Sequence, residues 1–323
     1  MSRTNDAVDV RLLSKVCLLY YNHGLKQQEI ADRFQVSRPK VSRMLQQAKD
    51  EGIIKFSVQY PEGNHVELES KLEQKFGLKE VLIIENLSES EGSKSAISVK
   101  RQLGIEAASY LHRTISEGNT IGMSWGTTLQ AMIDALSPQP VKNVHVIQTL
   151  GGVGPAERKE HAADLCRRLA QLLNAKLSLL PVPGIVGSIE AKETLMADKK
   201  INTLMEFIPS IDILFLGIGA LSTNPVLQMK YDEISTEICQ QIMTSDAVGD
   251  VALRFFDQQG SEVESELKHL VLGISIEQIR NIDTVVGIAG GSKKFQAILG
   301  ALNGNLINVL ITDKNVAERL LNA

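Results

Sequence analysis

Asn119-Thr120-Ile121-Gly122-Met123-Ser124-Trp125-Gly126-Thr127-Thr128-Leu129-Gln130 reads as a short buried strand, a turn of small residues and the start of a helix. Two chemistries compete for such a turn. Gly122 to Gly126 fits the G-x-S-x-G elbow of a hydrolase, with Ser124 as nucleophile. Ser124 through Thr128 fits equally well a hydroxyl-rich helix start whose free N–H groups cradle a phosphate. On the first reading the chain is an enzyme, on the second a sensor.

The same rhythm extends to both sides. Short apolar runs at Val81–Ile84, Thr120–Met123, Val144–Gln148, Lys176–Leu179, Ile211–Leu216, Val285–Ile288 and Ile307–Ile311 are expected as strands. Between them, helices are expected at about 95–116, 127–136, 159–174, 188–206, 232–243, 292–303 and 314–321. This alternation predicts a doubly wound, mainly parallel α/β sheet covered on both faces. The polar segment Ser88 to Ser95 reads as a loop. Small-residue turns follow several strands: Gly122–Thr128, Leu150–Pro155, Gly217–Ala220 and Ala289–Lys294. One such cluster is often only a tight turn. Several on the carboxyl edge of one sheet point to a polar ligand there, with phosphate the best match.

Upstream the composition changes. Residues 1–60 hold ten Lys/Arg against six Asp/Glu, a balance of +4, whereas the rest holds 24 against 32, a balance of −8. A basic head on an acidic body assigns a polyanionic partner to the head alone. Within it, Leu12, Leu13, Val16, Leu19 and Tyr20 repeat at helical spacing and Gly24 ends the run. A second helix is expected from about Gln27 to Phe34, then a tight turn at Gln35-Val36-Ser37. A third is expected from Arg38 to about Asp50, with Ser37 at its N-cap and Pro39 in its first turn. This is a helix-turn-helix pattern, whose second helix enters the DNA major groove by its N-terminal residues. Those residues are Ser37, Arg38, Lys40, Ser42 and Arg43. Gly52 to Val58 alternates like the first strand of a wing. The expected division is a helix-turn-helix domain at 1–60, a linker helix at 61–77 and an effector domain at 78–323.

No run of about 18 apolar residues occurs and no apolar segment marks the N-terminus, so the chain is expected to be cytoplasmic, with no membrane partner. Cys17, Cys166 and Cys239 lie too far apart for a disulfide or metal spacing, and the six histidines form no ligand pair. No metal or cofactor is expected.

The chain resembles the SorC/DeoR-type sugar-binding transcriptional regulators of bacteria. The likeness runs through Gln27-Gln28-Glu29-Ile30-Ala31, Ser37 to Arg43, Ile121 to Leu129, Asp212 to Ala220, Ala247 to Asp250 and Arg254 to Asp257. It continues through Val271 to Ile276, Val286 to Lys294 and Gly304 to Asp313. The resemblance implies a winged helix-turn-helix whose DNA-contacting set includes Gln27 and Gln28. It also implies an effector domain similar to sugar-phosphate isomerases and deaminases that has kept binding and lost catalysis. It places phosphate on Ser124, Gly126, Thr127, Thr128 and Lys294, sugar hydroxyls on Asp250, and backbone walls at Gly151, Gly152, Gly217 and Gly290. Double-stranded operator DNA, a phosphorylated sugar and further copies of the chain, as dimer or tetramer, are the implied partners. Where the family often carries asparagine, this chain reads Glu160-His161-Ala162.

Bland readings stand beside these: Lys294 as a solvent lysine next to Lys293, and Asp250 as a turn aspartate. Enzyme readings stand there too. Ser124, Asp250 and His269 have the order of a hydrolase triad, and Asp250 with Lys294 could serve a sugar-phosphate isomerase. A phosphate cradle accounts for Thr127 and Thr128, which an elbow does not need. A dinucleotide site at Gly217-Ile218-Gly219 fails because Ser222 stands where a third glycine belongs.

Overall fold

The computed structural model describes residues 10–55, 65–85, 93–155, 158–228 and 234–323. The chain divides into two compact units, Met1–Glu62 and Gly63–Ala323.

In the first unit, helix α1 (Val10–Cys17) runs into a π-helical turn at Leu18–Asn22, followed by α2 (Gln27–Phe34) and α3 (Arg38–Asp50). Leu13, Val16, Ile30, Ala31, Val41, Met44, Leu45 and Ala48 form its core at the expected helical spacing. Gln35 takes a left-handed conformation, and the N–H of Val36 closes the turn on the Ala31 carbonyl at 2.9 Å. Residues 51–54 are turn and bend and Lys55 has no regular structure; the rest of the expected wing strand, Phe56 to Val58, lies outside the described residues.

The second unit opens with α4 (Val66–Phe76) and β1 (Glu80–Ile84), then α5 (Ser93–Thr114), β2 (Thr120–Met123), α6 (Thr127–Ala135) and β3 (His145–Gln148). Next come α7 (Ala162–Leu173), β4 (Lys176–Ser178), α8 (Ile189–Met196), α9 (Lys199–Glu206) and β5 (Ile213–Gly219). After α10 (Thr236–Thr244), a hairpin of β6 (Gly249–Val251) and β7 (Arg254–Phe256) precedes short α11 (Glu266–Leu270) and α12 (Ile276–Arg280). The unit ends with β8 (Thr284–Ile288), α13 (Phe295–Asn303), β9 (Val309–Asp313) and α14 (Lys314–Leu321). Of the loop read at Ser88–Ser95, residues through 92 lie outside the description and the backbone from Ser93 is helical.

The main sheet runs β1-β9-β8-β5-β2-β3-β4 and is parallel throughout. Its central strand divides its side chains by the two-residue period of a strand. Ile213 and Phe215 pack with α5, α6 and α7, while Leu214, Leu216 and Ile218 pack with α4, α13 and α14. Both faces are therefore buried, which is why the strands read as continuous apolar runs. A third apolar cluster, including Leu150, Val153, Leu253, Phe255, Leu267 and Val271, lies apart from these two. The helix expected across 188–206 is two, because Asp198 caps a new start by accepting from Lys200 and Ile201.

Helix α4 is fastened to the second unit along its length. Leu72 is fully buried, and Lys75 Nζ donates to the terminal carbonyls of α14 at Leu320 and Leu321. The carboxylates of Glu69 and Glu73 accept the backbone N–H groups of Ile83 and Val81 at 2.9 and 3.0 Å. These two side chains, one helical turn apart, cap the edge strand β1. Burial pushes the Glu69 carboxyl above its ordinary range.

Candidate functional site

The chain leaves β2 for β3 and β4 on one side, and leaves β5 for β8 and β9 on the other. The boundary between β2 and β5 is thus the point where the winding reverses, and their carboxyl ends flank the crevice such sheets use for ligands. The stretch Ser124–Thr128 leaves the end of β2 at that boundary, with the Ser124 N–H on the Phe215 carbonyl at 3.4 Å.

Ser124 is 1% exposed and its hydroxyl has no hydrogen-bond partner. Gly126, the N-cap of α6, has φ 122°, a backbone state that a side chain would strain, and open space where its Cβ would be. Its N–H meets the Glu160 carbonyl at 3.1 Å. No side chain caps α6, so the amides of its first turn, at Thr127, Thr128 and Leu129, keep the partial positive charge of a helix start. Thr127 is exposed and Thr128 buried.

On β5, a Cβ at Gly217 would meet only the Trp125 carbonyl, at 3.9 Å. Two residues on, Gly219 is in register with Asp250 of β6. Asp250 is 5% exposed; its Oδ1 accepts from Asn224 Nδ2 at 2.8 Å and its Oδ2 from the Leu253 N–H at 3.2 Å. Burial raises its pKa, against the opposing pull of these bonds and of Lys294. Lys294 follows β8 and donates Nζ to the Ile218 carbonyl at 2.6 Å. Burial lowers its pKa to about 8, with Asp250 opposing and repulsion from Lys100 adding to the shift. Lys294, Asp250 and Asn224 therefore gather at the last residues of β5.

The remaining glycines do different work. The N–H groups of Gly151 and Gly152 are taken by the carbonyls of Leu272 and Val182, at 2.9 and 2.8 Å. A Cβ on Gly290 would lie 2.7 Å from Asp313 Oδ2. His161 N-caps α7 through Nδ1, and a Cβ on Gly152 would lie 2.8 Å from its Nε2. The helix expected from 159 starts at Ala162, which makes His161 its cap, at the place where the resemblance marks a departure from asparagine. Asn224 had no signal at all.

Ser124, Asp250 and His269 do not assemble as a triad. The His269 ring pairs with Glu264 at 2.8 Å on the exposed side of α11, and the Ser124 hydroxyl lacks the base contact that activates a nucleophile.

In the first unit, Ser37, Arg38, Lys40, Ser42 and Arg43 are all exposed along the start of α3. Ser37 occupies the N-cap, but its hydroxyl makes no capping bond; its carbonyl accepts from Lys40 and Val41. Gln27 and Gln28 open α2, and Gln28 is bonded to Asp32 at 2.8 Å. With Tyr20, Lys26 and Arg38 they line a groove of about 540 Å³.

Residues 60–322 match the family model described as "Putative sugar-binding domain". The deoxyribonucleoside regulator of Bacillus subtilis is 30% identical over 305 residues, covering 94% of this chain and 95% of that protein. The sorbitol operon regulator of Klebsiella pneumoniae is 29% identical over 319 residues, covering 97% and 98%. The crystal structure of the full-length sorbitol operon regulator from Klebsiella pneumoniae superposes with a TM-score of 0.73 at 28% identity, over 97% of this chain and 99% of that one.

Proposed function

The chain belongs to the SorC/DeoR-type family of sugar-binding transcriptional regulators, and from that premise we propose that its effector is a phosphorylated sugar held at the β2/β5 crevice. The protein is a sugar-responsive transcriptional regulator. One observation carries the phosphate: a fully buried, unpartnered Ser124 hydroxyl stands at the uncapped start of α6. Leaving a polar group buried and unsatisfied costs roughly 1–3 kcal/mol, which a ligand oxygen would offset. In this reading Ser124, Gly126, Thr127 and Thr128 take the phosphate by hydroxyl and backbone N–H, and Lys294 adds a point charge. Asp250 accepts from sugar hydroxyls, and Gly151, Gly152, Gly217 and Gly290 form close walls.

The start of α3 enters the major groove of a double-stranded operator. Arg38 and Arg43 are suited to guanine edges, and Lys40, Ser37, Ser42, Gln27 and Gln28 to phosphates and neighbouring bases. Effector and operator are linked through a coupling free energy between two states of a dimer or tetramer. Among the described residues no helix is long and apolar enough to cross a membrane; the proposed setting is the cytoplasm. The site performs recognition and not turnover.

Thermal unfolding of the full chain with ribose 5-phosphate, glucose 6-phosphate, inorganic phosphate and the unphosphorylated sugars tests the effector class. A melting temperature raised by phosphorylated sugars and not by their parents is expected. No shift with any phosphate would overturn the assignment. Fluorescence anisotropy with the upstream DNA tests the head, and absence of binding at low salt would overturn that part.

A further inference from the structure

We propose that Asn224 is a positioning residue of the effector site, holding the Asp250 carboxylate where it accepts sugar hydroxyls and so selecting a sugar phosphate over bare phosphate. This rests on the assignment of Asp250 made above.

Asn224 follows a short 3₁₀ turn beyond β5 and is 3% exposed. Its Oδ1 accepts from the N–H groups of Val226 and Leu227, at 2.9 and 3.3 Å. Both partners are obligate donors, so the amide has one orientation: oxygen toward the chain, nitrogen toward Asp250. The fixed amide then donates to Asp250 Oδ1 at 2.8 Å.

Two further features converge on the same carboxylate. A Cβ on Gly219 would lie 2.0 Å from Asp250 Oδ1, so only bare backbone lets the carboxylate stand against β5. The Leu253 N–H reaches Oδ2 from a two-residue turn in which Ala252 and Leu253 both have positive φ, 49° and 62°. That conformation is unfavourable for residues with a Cβ and persists where its surroundings over-determine it. A buried amide, a missing side chain and a strained turn thus fix one acidic group. An ionised carboxylate has about four lone-pair sites. Asn224 and Leu253 fill two, leaving about two for hydroxyl donors beside the Lys294 ammonium.

Calorimetric titration of the full chain with inorganic phosphate, ribose 5-phosphate and glucose 6-phosphate separates the two halves of the site. In the wild type the better sugar phosphate binds more tightly than inorganic phosphate. Asn224→Ala is expected to weaken that sugar phosphate by up to roughly tenfold, the cost of ordering the released carboxylate when the ligand binds, with inorganic phosphate unchanged. Asn224→Asp is expected to bind the sugar phosphate poorly at pH 8 and to recover as pH falls toward 6. There the two facing carboxyls share a proton and one can donate again. Equal weakening of both ligands, or unchanged sugar-phosphate affinity in Asn224→Ala, would overturn the positioning role. It would also fall if neither sugar phosphate exceeds inorganic phosphate in the wild type, an outcome that leaves the phosphate cradle standing. No binding of any phosphate would instead remove the cradle itself.

Discussion

Gly291 donates its N–H to the carboxylate of Asp313 at 2.6 Å, joining the turn after β8 to the end of β9. The other Asp313 oxygen caps α14 by accepting from Val316 at 3.2 Å. Asp313 is 2% exposed, and its bond to Val316 is made away from water while that to Gly291 is partly buried. Asp313→Ala is therefore expected to lose about 1–3 kcal/mol of stability in urea unfolding, from the lost cap and the orphaned N–H. It should also weaken phosphate binding through the turn that carries Lys294. A stable variant with unchanged phosphate affinity would show that this bond does not shape the site.

Replacing Thr127 and Thr128 by valine together removes two hydroxyls and keeps the helix start. The response of operator binding to a sugar phosphate should weaken by roughly tenfold or more in effector concentration, one bond to a charged group being worth about 1.5–3 kcal/mol. Operator affinity without effector should be unchanged. Anisotropy titrations with and without glucose 6-phosphate measure both.

Lys294 gives the site a pH dependence whose sign is fixed. Its pKa falls from 10.5 to about 8 on folding, so between those values the unfolded chain binds more protons than the folded one. This group's contribution to stability therefore rises with pH from about 8 to 10.5, and below 8 its full penalty is present. A phosphate beside the ammonium raises its pKa again, so binding takes up protons near pH 8 and affinity falls above it. Calorimetry at pH 8.5 in buffers of different ionisation enthalpy should detect that uptake, and Lys294→Met should abolish it.

Charge removal along α3 should divide by role. Lys40→Ala is expected to weaken operator and unrelated DNA alike and to lower the salt slope by about one unit. Arg43→Ala, if Arg43 reads a base, should cost about 1–3 kcal/mol on the operator and relax sequence preference. Anisotropy at several salt concentrations distinguishes these outcomes. Neither change should alter the thermal shift produced by glucose 6-phosphate.

The elements legible in the sequence were those whose burial alone dictates their pattern. Thr120–Met123 and Ile213–Ile218 are apolar because both faces of their sheet are covered, and the start of α6 announces itself by Gly126 and two threonines. The β6–β7 hairpin was illegible because Ala252 and Leu253 occupy a turn that asparagine and glycine usually mark. Asn224 was illegible for a related reason. The carboxylate it holds, Asp250, lies 26 residues away in the chain, and no periodicity reports such a contact. The roles of Glu69 and Glu73 were equally illegible, since helical spacing cannot reveal that the edge of a sheet lies beside them.

Those two glutamates also bear on assembly. By occupying the outward N–H groups of β1, they close one end of the main sheet to templated addition of a foreign strand. The opposite end is β4, three residues long and begun by an exposed lysine, Lys176. Neither end offers a second copy a strand edge of useful length. The sheet is thereby protected from the runaway stacking that open edges invite.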